Sequence, residues 1–195
     1  MRRILGTAPA RHVDIASQTV LAGLLSAVLP VTFYDYRPLS ATLENLTCEQ
    51  GNIVDLGIPS DSVPSLSCLH MAEHIGLGRY GDPIDPEGTR RAARELTRVL
   101  APGGTLYFAL PVGIARVCFN AHRIHDAQTI CEYFSGLELI EYSSVHDDGR
   151  FVERVALSTF DQSDYACGMF VFRKPAAPVP PDTGDLSVLQ PTDRL

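Results

Sequence analysis

The chain has 195 residues, 45% hydrophobic and 20% charged, which is the balance of a folded globular protein and excludes a wholly disordered one. At this length roughly 70% of the unfolded chain's surface can be buried, so folding requires neither a disulfide nor a metal staple. The formal charge is -7 and Lys174 is the sole lysine; arginines scattered over an acidic chain make no basic stripe, which argues against a nucleic-acid partner.

In chain order, His12 to Ala16 reads as a short strand and Thr19 to Val28 as an apolar helix. Val31 to Tyr34 is β-branched and aromatic, hence a second strand, and a third lies around Thr47 to Gln50. Ser65 to Leu69 is a fourth. Glu87 to Leu100 is an amphipathic helix with Ala92, Leu96, Val99 and Leu100 on one face and arginines on the other. Ala101-Pro102-Gly103-Gly104 is expected to stop that helix, since proline cannot continue it and glycine accepts left-handed turns. Thr105 to Leu110 is the next strand, and Asp126 to Phe134 a helix capped by Asp126. Leu137 to Val145 and Gly168 to Phe172 complete the strands. Strands alternating with helices predict a three-layer α/β fold of Rossmann-like type with a mainly parallel sheet. Residues 1–174 would form this domain, and the proline-rich stretch 175–195 a disordered tail.

Cys48, Cys68, Cys118, Cys131 and Cys167 are odd in number and include no C-x-x-C pair. That speaks against a disulfide framework or a zinc ribbon and for a reducing compartment. All five read as structural thiols. The longest apolar stretch, Val20 to Val31, is broken by Ser26 and Pro30 and is too short to span a bilayer. A cytoplasmic protein without a membrane partner is the expectation; the oligomeric state is left open.

In sheets of this kind ligands bind beyond the carboxyl ends of the strands, near the point where strand order reverses. The segments after the strands therefore matter most: residues 14–18, 35–37, 51–53 and 70–74. Asp35, ending the second strand, stands where nucleotide-binding folds place a carboxylate for two ribose hydroxyls; its alternative role is that of a turn residue before Arg37-Pro38.

The string TRVLAPGGTLYFALPVG resembles the R-x-L-x-P-G-G-x-L segment of class I S-adenosylmethionine-dependent methyltransferases. More narrowly, EHIGLGRYGDPIDPEG, FNAHRI and CGMFVFRK resemble the methyltransferase-like domain-of-unknown-function 268 family, over about Asp14 to Lys174. The resemblance implies the methyltransferase fold, S-adenosylmethionine as cofactor and a small-molecule substrate. It also implies a cofactor site at Asp14, Ala16, Ser17 and Gln18 (first turn), Asp35 and Tyr36 (ribose and adenine), Asn52 and Ile53 (adenine edge), and His70 and Met71 (methionine pocket). Ala16, Gln18 and Val20 stand where the superfamily commonly has glycine, and each β-carbon restricts left-handed backbone. These replacements support an alternative reading, a degenerate methyltransferase fold without catalysis that serves as a binding or scaffold module; a pocket filled by Gln18 or Val20 would favour it.

On the acceptor side, Glu73 and His74 are candidates for general-base work, the alternative being a histidine that fixes the loop. Arg79, Tyr80 and Asp82 in the glycine-rich loop, with Asn120, His122 and Arg123 in a second polar cluster, suit a small polar, sugar-like or anionic acceptor if the two loops meet. The bland alternative pairs Arg79 with Asp82 or Asp85. His70-x-x-Glu73-His74 also spells an inverted zinc-peptidase pattern, which on a helix would make a zinc hydrolase.

Overall fold

A computed structural model describes residues 1–79, 81–118 and 120–176. Tyr80 and the expected tail from residue 177 onward lie outside the described residues. The elements in order are α1 (Arg2–Gly6), β1 (His12–Ile15), α2 (Thr19–Ser26), β2 (Val31–Asp35), β3 (Leu46–Gln50), β4 (Val63–Leu69), α3 (Gly88–Val99), β5 (Leu100–Val112), β6 (Arg116–Cys118), β7 (His122–Ile124), α4 (Ala127–Tyr133), β8 (Glu138–Val145), β9 (Phe151–Val152) and β10 (Ala166–Arg173).

Eight strands form one sheet in the order β3-β2-β1-β4-β5-β10-β8-β9, and β6 and β7 form a separate hairpin ladder. The half from β3 to β5 is parallel, while β10 runs antiparallel to both β5 and β8. Helices cover both faces, giving the three layers. On one face Ala92, Leu96 and Val99 of α3 and Ile130 of α4 pack against Leu66, Phe108, Phe170 and Phe172 of the sheet. On the other, Ile4 of α1 and Ala22 and Leu25 of α2 pack against Val31, Phe33 and Tyr107. Phe170 and Phe172 lie on one face of β10 because strand side chains alternate; their rings stack at 5.7 Å and 3°.

Two departures from the sequence reading have physical causes. Helix α3 ends at Val99, but the Ala101–Gly104 segment is drawn into the head of β5 rather than left as a turn. Its backbone groups are paired: Gly103 N donates to Lys174 O and Lys174 N donates to Gly104 O. Lys174 is pinned there by its ammonium, which donates to Asp61 Oδ1 at 2.7 Å and Thr97 O at 2.8 Å. The second departure is the polar 116–124 segment, which forms the β6–β7 hairpin. Asp126 caps α4 as expected, accepting from Thr129 N at 2.8 Å.

Candidate functional site

Strand order reverses between β1 and β4, and a cleft of about 280 Å³ opens there beyond the carboxyl ends of the parallel strands. Ile15 and Ala16 line it after β1, Tyr34 and Tyr36 at the end of β2, Gly51 to Val54 after β3, and Met71, Ile75 and Gly76 after β4. Gly81, Asp82, Pro83 and Asp85 form its outer wall, with Arg91 of α3. Arg91 is oriented by Asp85 Oδ2 at 2.9 Å.

Of the residues expected to hold a cofactor, Ala16, Tyr36, Asn52, Ile53 and Met71 line this cleft. Ala16 takes φ +51°, so the left-handed turn survives although the glycine has been replaced. Gln18 and Val20 are exposed and do not line the cleft, so they do not fill it. Asp14 and Ser17 are not cleft residues either. Asp14 is fully buried, accepting from Ser17 N at 3.0 Å and, very closely, from the Ser67 hydroxyl. Ser17 Oγ accepts from Leu69 N. Both residues tie the first turn to β4, which shapes the site from behind. Asp35 does not line the cleft but sits between two residues that do; its Oδ1 accepts from Arg37 N at 2.8 Å, which is the turn role. Asn52 holds its own turn through Oδ1, which accepts from Val54 N.

The buried network behind the turn continues through His12, which is hydrogen-bonded to Ser65 Oγ and Ser67 Oγ, both at 2.8 Å. Since the Ser67 hydroxyl donates to Asp14, His12 Nε2–H donates to Ser67; in the neutral ring Nδ1 then accepts from Ser65. Burial pushes the His12 pKa down to about 4 and the Asp14 pKa up to about 6, the hydrogen bonds from Ser67 and Ser17 opposing the latter.

On the acceptor side the two polar loops meet. Arg79 donates to Ala121 O at 3.2 Å, and His74 Nδ1 lies 2.6 Å from the same oxygen. Asp82, expected to face the acceptor, lines the switch-point cleft, and its Oδ2 accepts from Gly76 N. Arg123, expected to bind substrate, is engaged within the protein. It is 6% exposed and its guanidinium donates to the carbonyls of Ile75, Gly76 and Asp85, clamping the loop that walls the cleft. Asn120 is exposed at φ +52°, a conformation that asparagine tolerates. The His122 ring lies 5.0 Å from that of Tyr165 and 6.3 Å from that of His74. Its Nε2 is buried without a hydrogen-bond partner among the described residues.

The zinc-peptidase reading fails on geometry. His70 has φ +58° and lies outside any helix, and only a three-residue 3-10 turn, Ala72–His74, follows. The two histidines therefore do not stack one turn apart on a helix. Instead Glu73, 1% exposed, places Oε1 3.1 Å from His70 Nδ1 and 3.9 Å from His74 Nε2. His70 does not line the switch-point cleft, and its Nε2 meets Cys167 Sγ at 3.1 Å. Cys167 is half-buried, unlike the fully buried Cys68, and its thiol is engaged rather than merely packed. Tyr34, Val54, Ile75 and Arg91 line the cleft without having been singled out. Arg91 was masked by its place on the polar face of an amphipathic helix.

The family described as "Caenorhabditis protein of unknown function, DUF268" matches residues 60–174, more than half of the chain. The chain belongs to the DUF268 family. No curated protein matches it. Among solved structures it is similar to the [4+2]-cyclase SpnF, with TM-score 0.61 and 16% identity over 86% of this chain and 75% of that one. It is similar to the N-methyltransferase NodS from Bradyrhizobium japonicum WM9 in complex with S-adenosyl-L-homocysteine, with TM-score 0.59 and 15% identity over 89% and 83% of the two chains. It is also similar to YcgJ from Bacillus subtilis, with TM-score 0.58 and 18% identity over 91% and 100%. This DUF268 chain therefore has the class I S-adenosylmethionine-dependent methyltransferase fold. No helix of the described residues is long and apolar enough to cross a membrane.

Proposed function

We propose that this chain is an S-adenosylmethionine-dependent methyltransferase acting on a small polar acceptor. The observation that carries the reading is the open cleft at the strand-order reversal, where Ala16 preserves the left-handed turn and Gln18 and Val20 stay outside. Its walls fit the cofactor's chemistry: Tyr34, Tyr36 and Ile53 offer faces for a purine, and Asn52 a polar edge that can hydrogen-bond an amino group. Asp35, at the lip between Tyr34 and Tyr36, is the acid available to a ribose, and Met71 and Ile75 line the end nearest Glu73 and His74. When bound, the cofactor's sulfonium would supply the methyl group and the leaving group.

The chain's own part is positioning and proton removal. His74 Nδ1 is held by Ala121 O, so the neutral ring presents its lone pair at Nε2, on the side of the Glu73 carboxylate. A proton taken from an acceptor hydroxyl or amine at that nitrogen would be met by a negative charge. The two polar loops, joined through Ala121, would frame the acceptor, with Arg79 as a contact.

Isothermal titration with S-adenosylmethionine and S-adenosylhomocysteine tests the reading. Micromolar binding is expected, weakened about tenfold or more by Asp35→Ala and by Asn52→Ala. No heat and no thermal shift at millimolar ligand would overturn it.

A further inference from the structure

His70 and Cys167 come together across the sheet. His70 follows β4 and its N–H donates to Ala109 O, while Cys167 of β10 pairs with Pro111 on the far side of the same β5. The imidazole lies between two acidic groups: Nδ1 is 3.1 Å from Glu73 Oε1 and Nε2 is 3.1 Å from Cys167 Sγ. Glu73 Oε2 is buried and has no hydrogen-bond partner among the described residues. A carboxylate taken so far from water needs a cation beside it, and the His70 ring is the closest titratable partner. The ring's pKa is raised to about 10, first by the hydrogen bond with Cys167 and then by that with Glu73. A ring nitrogen 3.1 Å from a thiol sulfur, with a buried carboxylate at the other ring nitrogen, is an arrangement that activates a cysteine as nucleophile.

We propose that Cys167, His70 and Glu73 form a nucleophilic thiol site, separate from the cofactor cleft, whose substrates are small disulfides. The Cys167 proton resides on His70 Nε2 and Glu73 holds the ring by Nδ1. The sulfur attacks one sulfur of the disulfide; a new S–S bond forms, the old one breaks, and the electron pair leaves on the departing thiolate. The disulfide itself is the oxidant, and Cys167 is left as a mixed disulfide. Other groups face this pair: His74, whose Nε2 is 3.9 Å from Glu73 Oε1, Tyr165 just before β10, and Tyr142 of β8. Burial raises both tyrosine pKa values, so neither phenol titrates in the range that matters. Cys68 and Cys131 are poor competitors, because burial pushes the Cys68 thiol well up and the Cys131 thiol up to about 11. Half-buried Cys48 and Cys118 serve as internal controls.

The test is the rate of reaction of the whole chain, without cofactor, with 2,2′-dipyridyl disulfide and with iodoacetamide, read cysteine by cysteine by peptide mass spectrometry. Near about pH 6, Cys167 is expected to react about tenfold or more faster than Cys48 and Cys118. His70→Gln should remove that advantage and restore the ordinary rise of thiol reactivity with pH; Glu73→Gln should reduce it in the same direction. Cys167→Ser assigns the fast phase, and circular dichroism checks that each variant is folded. A Cys167 no faster than the controls overturns the proposal, whatever the variants do, as does an undiminished rate in folded His70→Gln. Because no cofactor enters the assay, either result leaves the methyltransferase reading standing or falling on its own titration.

Discussion

Asp14 and His12 are adjacent in a buried chain of hydrogen bonds, and their pKa shifts run in opposite senses with pH. Asp14 is raised to about 6, so between the ordinary carboxylate value and about pH 6 the folded state holds a proton that the unfolded state has released. Stability from that group falls as pH rises through this window. His12 is lowered to about 4, so between about pH 4 and the ordinary imidazole value the unfolded state holds the extra proton, and stability rises with pH. Asp14→Asn removes the first of these slopes, so urea denaturation of this variant should show stability rising more steeply than the parent's between about pH 4 and pH 6, by about 2 kcal/mol over that window. Equal slopes in parent and variant would show that Asp14 is not held protonated. Ala16 offers a second residue-scale expectation. A β-carbon at φ +51° costs about 1 kcal/mol, so Ala16→Gly should leave stability equal or slightly higher and should not weaken cofactor binding. Titration and a thermal melt read both quantities.

Among the elements, the loop from Ile75 to Asp85 depends on one side chain brought from β7. Arg123 satisfies three carbonyls on the two flanks of that loop, and Ile75, Gly76 and Asp85 are also cleft residues. Removing the guanidinium takes away the Arg123 donor of Ile75 O, while Gly76 O and Asp85 O keep the backbone N–H groups of Asp85 and Gly88. Arg123→Ala should cost about 2–3 kcal/mol in urea denaturation and weaken the cofactor as well. Loss of stability with unchanged affinity would mean that the loop keeps its shape without the clamp. Nothing in the sequence distinguished Arg123 from Arg79, since both sit in polar loops and both suit an anion. What separates them is burial: Arg79 is exposed, whereas Arg123 is buried among backbone oxygens. The strands and long helices were legible because their apolar periodicity is strong. Helix α3 is the plainest case, and its expected boundaries differ from Gly88–Val99 by one residue at each end. The β6–β7 hairpin was not legible, because three-residue strands carry too few alternations to register.

At the scale of the molecule, the alternation of strands and helices implied the parallel half of the sheet but not the direction of β10. The signal was there: no helical periodicity separates β8 from β10, and a parallel neighbour would need a crossover connection, usually a helix. Sequence placed the expected cofactor residues by which strand they follow, and Tyr36, Asn52, Ile53 and Met71 do line the cleft because a switch point gathers strand ends. Asp14, Ser17 and His70 do not line it, and their partners include residues brought by β4 and β10, distant in the chain. Position along a strand tells which end a residue occupies; it does not tell which neighbour satisfies it.

The lone lysine has a practical corollary. Lys174 ends β10 with its ammonium committed to Asp61 and to the carbonyl of Thr97 near the end of α3, so it is sheltered only while those elements stay docked. Apart from the α-amino group, the chain therefore carries one amine, and that amine is guarded by tertiary structure. Acylating reagents would meet a single slow site in the native state and a fast one once the strand end detaches. The molecule thus contains its own one-residue gauge of local opening at the seam between β5, β10 and α3.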